Sequence, residues 1–296
     1  RLELATGVPA RMWNNLEANY REQLLKIEEE KRLTADISWL KEIPTAELIQ
    51  RGILHATNDK IQLVREVLKF YGVISVRAWG EIWNTPRVAA RRSHCFETQI
   101  GPASAWIRLG ELQAIEIACQ PFNREKFKHA LAQIRALTTQ SPAEFVPEMK
   151  RLCAESGVAV AFVKEMPKVP WNGATKWLSP NKAMIILCLR GKGEDRFWFS
   201  FFHEAWHVLN PIKKNLLIND GNSTDPEEKK ADDFTAEFLI PSEYNDEIIA
   251  NPSIITFNRI ATELQIAVGI VVGRYQHLTG EWGRFRAEIR KLGWKG

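Results

Sequence analysis

The spacing of apolar side chains predicts helices over the first half of the chain. Residues 9–33 and about 45–155 place apolar side chains at intervals of three and four residues, the period of an amphipathic helix. In the first segment these residues are Trp13, Leu16, Tyr20 and Leu24. The second segment is most clearly amphipathic over 105–118 and 125–137. We therefore predict a mostly helical N-terminal half with one long helix near its start.

The pattern changes near residue 157. Residues 157–166 and 182–190 alternate and are rich in β-branched side chains, which predicts two strands. The segment between them, 169–178, contains an Asn-Gly pair and predicts a turn. Together these segments predict a small twisted sheet.

Helical spacing returns after the sheet. An aromatic-rich helix comes first, a polar loop follows at 211–225, and a second helix is expected at 226–241. The expected fold class is α+β, with helices dominating the N-terminal half and the small sheet lying in the C-terminal domain. We divide the chain into three segments at 1–33, 34–155 and 156–296.

Length, charge and cysteine content narrow the classes of protein. The 296 residues are enough for two domains, and a net charge of +4 is too mild to mark a dedicated nucleic-acid binder. The four cysteines lie far apart without a CxxC pair, which favours a reducing compartment. Neither a signal segment nor a membrane-spanning apolar run stands out, so we expect a cytoplasmic protein with no membrane partner. Because the chain begins with arginine, we expect it to be part of a longer protein.

The stretch "SFFHEAWHVLN", residues 200–210, carries the strongest chemical signal. His203 and His207 are four residues apart and therefore lie on one face of a helix, where both imidazoles can reach one metal ion. Glu204 points about 100° away around the helix and can reach a water molecule at that ion. This arrangement is typical of metal-assisted peptide hydrolysis. The structural alternative is an aromatic-rich buried helix whose histidines are hydrogen-bonded core residues.

A catalytic zinc site needs a third protein ligand. The remaining histidines do not follow His207 at a suitable spacing, so a carboxylate from the helix at 226–241 is expected. Glu227 and Glu228 both project near its apolar stripe, and spacing alone does not separate them. The alternative explanation is that both residues are there because the helix dipole favours acidic side chains at a helix N-terminus, which is common.

Motifs spread over about 150–245 resemble the ImmA/IrrE family of zinc metallopeptidases. The shared features are two apolar strands around a Trp-Asn-Gly-Ala segment, "FWFSFFHEAWHVLN" and "EKKADDFTAEFLIP", in that order. The resemblance implies a zincin-like fold, a Zn²⁺ ion and Glu228 as the third ligand. Two residues depart from the family pattern: Trp206 replaces a glycine before the second histidine, and Thr235 replaces an alanine.

The N-terminus resembles the end of an XRE-type helix-turn-helix. In "LELATGVPARMWNNLEANY", residues 5–8 match the turn and the helix from Pro9 matches the recognition helix. Arg11, Asn14 and Asn15 would then face the major groove, where arginine suits guanine and asparagine suits adenine. With "FYGV", "WIRLGELQA" and "GIVVGRYQH", the chain is similar to long HigA-like antitoxins. This likeness implies that a complete N-terminal motif binds DNA.

The resemblances imply a zinc endopeptidase coupled to a DNA-binding regulator, with a repressor or toxin as protein substrate. We expect Glu204 to take the proton of the attacking water and the strand at 182–190 to bind substrate as an exposed edge. Arg274 and His277 are candidates for stabilising an oxyanion, against the alternative of a surface arginine and a capping histidine. The alternative function is a non-proteolytic antitoxin and transcriptional regulator whose zinc fold is structural. A homodimer is left open.

Overall fold

The computed structural model describes residues 2–83, 99–211, 216–219 and 226–294. The chain forms two compact units, Arg1–Thr85 and Pro86–Gly296. The predicted α+β class is confirmed, because the described residues are mostly helical and include one small mixed sheet. The division into three segments stays a prediction.

The first unit is helical throughout its described part. Its helices are α1 (Leu2–Thr6), α2 (Ala10–Ala35), α3 (Thr45–Gln50), α4 (Lys60–Tyr71) and α5 (Val76–Trp83). The predicted long helix is thus confirmed as α2, and Gly7, at a φ of +70°, separates it from α1. Trp39, Tyr71 and Trp79 form an aromatic cluster in which neighbouring ring centroids lie 5.3–6.3 Å apart. This cluster lies in the core of the unit together with buried leucines such as Leu33 and Leu48.

The second unit combines helices with the sheet. Its helices are α6 (Ile100–Glu116), α7 (Arg124–Ala136), α8 (Pro142–Glu155), α9 (Glu194–Leu209), α10 (Pro226–Leu239), α11 (Asn245–Ala250), α12 (Ile254–Leu264) and α13 (Val268–Thr279). Its strands are β1 (Val158–Phe162), β2 (Gly173–Ser179), β3 (Lys182–Leu187) and β4 (Leu216–Asn219). The strands predicted at 157–166 and 182–190 are therefore confirmed as β1 and β3.

The order of strands in the sheet is β1-β3-β2-β4. β1 pairs with β3 in parallel, and β2 pairs antiparallel with both β3 and β4. Three predictions are wrong here. The segment 169–178 was expected to be a turn but contains most of β2, and the polar loop at 211–225 contains β4. The segment 182–190 was expected to be an exposed edge, yet β3 lies inside the sheet because β1 and β2 pair with its two sides.

α9 packs against the sheet and lies in the main hydrophobic core. α10 packs beside α9 and buries Ala231, Thr235 and Leu239. The predicted inward stripe also included Phe234 and Phe238, which are half-buried. Arg135 of α7 donates to the backbone carbonyls of Phe238, Leu239 and Leu264 at 2.8–2.9 Å. Terminal helix carbonyls lack partners within their own helix. The guanidinium group therefore fixes the ends of α10 and α12.

Within the described residues, no individual helix combines the length and apolar character that a membrane span requires. The pair α12 and α13 passes that test only when joined, and the two helices are bent by 119° at the break between them.

Candidate metal centre

α9 carries both predicted histidines on a helix that is buried on nearly all sides. The helix begins after Gly193 with Glu194 and Asp195 in its first turn, where the positive end of the helix dipole stabilises acidic side chains. Its aromatic side chains Phe197, Trp198, Phe201 and Phe202 enter the core. A helix packed this way has little freedom to rotate. The positions of the polar side chains on its remaining face are therefore fixed by the core.

Ligand atoms of three residues from α9 and α10 converge at one point. His203 Nε2 lies 3.1 Å from His207 Nε2 and 3.0 Å from Glu228 Oε2, while His207 Nε2 lies 3.4 Å from Glu228 Oε1. All three residues are at most 4% exposed. Two imidazole nitrogens and a carboxylate oxygen are ordinary ligands of divalent metals. This buried group can hold a metal ion, as the spacing of the histidines predicts.

The electrostatics of the group favour positive charge at this point. Burial lowers the pKa of His203, but hydrogen bonds to Asp232 and Glu228 outweigh it and raise that pKa to about 9. Burial raises the pKa of Glu228, but the two histidines outweigh it and lower that pKa to about 2. The carboxylate therefore stays charged and attracts positive charge to the histidines. A metal ion and a proton compete for the same imidazole nitrogen.

Helical spacing did not decide between Glu227 and Glu228 as the third ligand, and only one of them reaches the metal centre. Glu228 lies against both imidazoles, whereas the Glu227 carboxylate accepts from Lys230 Nζ at 2.8 Å near the helix surface. Glu228 is also the third ligand that the resemblance implies. A favourable interaction with the helix dipole does not by itself explain why its carboxylate lies against both histidines. Spacing left the choice open because both positions flank the same apolar stripe.

Asp232 has a role that the sequence did not reveal. Its Oδ1 lies 2.8 Å from His203 Nδ1, so the ring nitrogen facing away from Glu228 donates to a carboxylate. This bond fixes the orientation of the ring and leaves Nε2 as the ligand atom. The available signal was its position four residues after Glu228, which places both carboxylates on one face of α10.

Glu204 lies beside the two histidines and is fully buried. Its Oε2 accepts from the Thr175 hydroxyl at 2.6 Å, whereas its Oε1 has no hydrogen-bond partner among the described atoms. A Cβ atom on Gly173 would lie 2.9 Å from that Oε1, so glycine at the start of β2 makes room for the carboxylate. Burial raises the pKa of Glu204, while the two histidines and Thr175 lower it. Thr175 and Gly173 were missed because their segment was predicted to be a turn.

Trp206 does not replace any ligand. It is buried, and its ring centroid lies 5.2 Å from that of His207 in an edge-on arrangement. The tryptophan therefore packs against the second histidine and helps to fix its ring. Thr235, the other departure from the family pattern, is also fully buried on the inward face of α10.

Arg274 and His277 line a cavity of about 870 Å³. Asp232 lines the same cavity and also contacts His203, so the cavity lies next to the metal centre. The Arg274 Nε atom donates to Asn245 Oδ1 at 3.0 Å, and no hydrogen bond or ion pair among the described residues joins Arg274 or His277 to Glu204. Their role in stabilising an oxyanion stays a prediction.

The candidate DNA contacts lie in the first unit. Arg11, Asn14 and Asn15 fall within the first two turns of α2, and all three are exposed. The break between α1 and α2 covers residues 7–9, so it overlaps the turn predicted at residues 5–8, of which Ala5 and Thr6 lie in α1 instead. DNA binding itself stays a prediction.

Comparison of the chain with protein-family models and with curated proteins found no match.

Proposed function

We propose that the chain is a zinc-dependent peptidase. The observation that carries this proposal is the convergence of His203, His207 and Glu228 on one point, with Glu204 beside them. Zinc–ligand bonds of about 2.0–2.2 Å in a tetrahedron separate neighbouring ligand atoms by about 3.3–3.6 Å. The three separations of 3.0–3.4 Å are close to this spacing. Three protein ligands and one open position characterise catalytic rather than structural zinc.

The polar residues around the ligands have complementary roles. A bound zinc ion supplies a Lewis acid that polarises the substrate carbonyl and makes water more acidic. The unpartnered Oε1 of Glu204 accepts the proton of the attacking water, while Thr175 holds the other oxygen in place. Glu204 then delivers the proton to the leaving amine. Burial raises the pKa of Glu204, which suits a group that accepts a proton and then donates it.

The resemblance to ImmA/IrrE peptidases supports the same activity and suggests a repressor or toxin as substrate. It also suggests that the peptidase serves a DNA-binding regulator in the cytoplasm. A homodimer remains compatible with this proposal. These statements about substrate, compartment and regulation rest on sequence motifs alone.

A non-proteolytic regulator is the second candidate, favoured by the exposure of Arg11, Asn14 and Asn15 on α2. It requires zinc binding without turnover, because fold and metal do not by themselves establish catalysis. Alanine at these three positions should then weaken binding to duplex DNA without changing zinc content. Unchanged DNA binding by that variant would contradict the role given to α2.

The peptidase proposal is tested by zinc content and by cleavage of a mixed peptide library, read by mass spectrometry. Glu204→Gln should keep one equivalent of zinc and lower the cleavage rate on the order of 10²–10⁴-fold, because it removes the base. Glu28→Gln is the matched control, since Glu28 is an exposed glutamate on α2. Wild-type cleavage by Glu204→Gln would contradict the assignment of the base. A zinc-loaded wild type that cleaves nothing would favour the regulator.

A further inference from the structure

A cavity of about 870 Å³ is lined mainly by residues of α9, α10 and α13. Asp232 connects the cavity with the metal centre, because it lines the cavity and also hydrogen-bonds to His203. On the other wall, Asn172 lines the cavity next to Gly173, which abuts Glu204. Ser200 precedes the first histidine by three residues, or about 4.5 Å along the helix axis. Asp232 and the Asn172–Gly173 pair therefore place the cavity lining beside residues of the metal centre.

The charges that line the cavity are unequal. Its carboxylates are Asp195, Asp232, Asp233 and Glu237, and its guanidinium groups are Arg196 and Arg274. Arg274 already donates to Asn245, and Arg196 is exposed to solvent. Four carboxylates against two guanidinium groups give the cavity lining an excess of negative charge.

Asp195 is the least exposed of the four carboxylates. Burial raises its pKa, and backbone N–H groups together with the nearby charge of Arg196 offset this only in part. No ion pair within 4 Å joins Asp195 to a described lysine or arginine. A buried carboxylate without a close cation is energetically unfavourable. A cation that enters the cavity would relieve this penalty.

Two uncharged residues add features of a binding site. Ser200 is only 5% exposed, lines the cavity, and its hydroxyl makes no hydrogen bond with another described side chain or carbonyl. Such a hydroxyl can accept one hydrogen bond from a ligand that enters. Trp282 also lines the cavity and is about half exposed, so a face of its ring is open to a cation.

We propose that this cavity is a substrate subsite that takes a cationic side chain, arginine or lysine, with Asp195 as its charged partner. The assignment rests on the proposed peptidase function and extends it to a class of substrate. The Ser200 hydroxyl accepts a hydrogen bond from the same side chain, and Trp282 covers it at the solvent side. The free ligand agmatine shares the guanidinium chemistry and serves to separate peptide recognition from binding of a small amine.

The test is cleavage of a hexapeptide library in which each position carries arginine, citrulline or glutamate. Citrulline has nearly the same shape as arginine without its charge. Zinc-loaded wild type should prefer arginine over citrulline at one position on the order of tenfold, as expected for a charge-assisted hydrogen bond. Asp195→Asn should remove most of that preference, and Asp233→Asn should reduce it. Asp246→Asn is the matched control, because Asp246 is exposed on α11 and does not line the cavity.

A second readout separates this assignment from the peptidase proposal. Calorimetry with zinc-loaded Glu204→Gln measures binding of the arginine and citrulline peptides and of agmatine, without any need for turnover. Arginine-selective binding that depends on Asp195, with no cleavage by the wild type, would keep the cation site and reject the peptidase. Cleavage with no arginine preference, or a preference unchanged in both aspartate variants, would overturn the cation site. Agmatine binding as tight as that of the arginine peptide would overturn its assignment as a substrate subsite.

Discussion

Replacing Gly173 with alanine should disable the base and leave the metal ligands in place. Gly173 is the first residue of β2 and faces Glu204 of α9. A methyl group on Gly173 would lie 2.8 Å from Glu204 Cγ and 2.9 Å from its Oε1. Packed carbon atoms are optimally separated by about 3.5–4.0 Å. The methyl group and the carboxylate therefore cannot both occupy these positions.

The size of the effect follows from this overlap. Restoring an ordinary contact requires a relative movement of about 0.7–1.2 Å. Glu204 is fully buried and Thr175 holds its Oε2, so the movement shifts Oε1 away from the site where it would meet water. A misplacement of about 1 Å can lower a catalytic rate on the order of 100-fold. Overpacking of this kind also lowers the free energy of unfolding by about 1–3 kcal/mol.

The assay compares kcat/KM on one cleaved library peptide with zinc content and Tm. Gly173→Ala should lose activity while it retains zinc and remains folded at the assay temperature. Gly283→Ala is the matched control, because a methyl group there would meet no heavy atom within 4 Å. Wild-type kcat/KM in Gly173→Ala would refute the claim that the missing side chain on β2 sets the position of the base.

Three further predictions concern other parts of the second unit. Asp232→Asn should weaken zinc binding about 10–100-fold in a chelator competition, because the first histidine loses its charged partner, and unchanged affinity would remove that role. Gly157→Ala should lower the free energy of unfolding by about 3 kcal/mol or more in denaturant melts, because its φ is +87° and a methyl group would overlap the backbone of Phe122. Gly280 has a similar φ but open space around it, so Gly280→Ala is the control for backbone strain without overlap and should lower the free energy of unfolding by about 1 kcal/mol. Burial raises the pKa of Asp195, so the part of the wild-type stability that Asp195 contributes should fall as the pH rises from below the ordinary aspartate pKa through the raised value. Asp195→Asn should flatten that fall in Tm, and an unchanged pH profile would contradict it.

The sequence predicted helices and buried strands better than it predicted β2 and β4. α2 and α10 bury or display apolar side chains at a regular helical period, and that period is a local property of the sequence. β2 begins with Gly173 directly after an asparagine, a pair that is typical of tight turns. Its place in the sheet depends on pairing with β3 and on the room that Glu204 needs. Both are long-range requirements that a local pattern does not contain.

The candidate site shows the same division between local and distant information. His203, Glu204 and His207 were predicted together because four-residue spacing on one helix is enough to juxtapose them. Glu228 could not be separated from Glu227 by spacing, since the choice depends on how α10 is rotated against α9. Asp232 was missed for the same reason, although it lies one turn beyond Glu228.

The cost of burying these groups is the strongest physical argument that they have a function. Two histidines and two glutamates lie at 0–4% exposure in one small region. Burying charged and polar groups is unfavourable unless each finds a partner. Thr175 and Asp232 satisfy one atom each, but His207 Nδ1 and Glu204 Oε1 have no hydrogen-bond partner among the described atoms. Apolar side chains in the same places would give a more stable core. Local features that oppose stability are expected at functional sites, and here their geometry suits a metal ion and a water molecule.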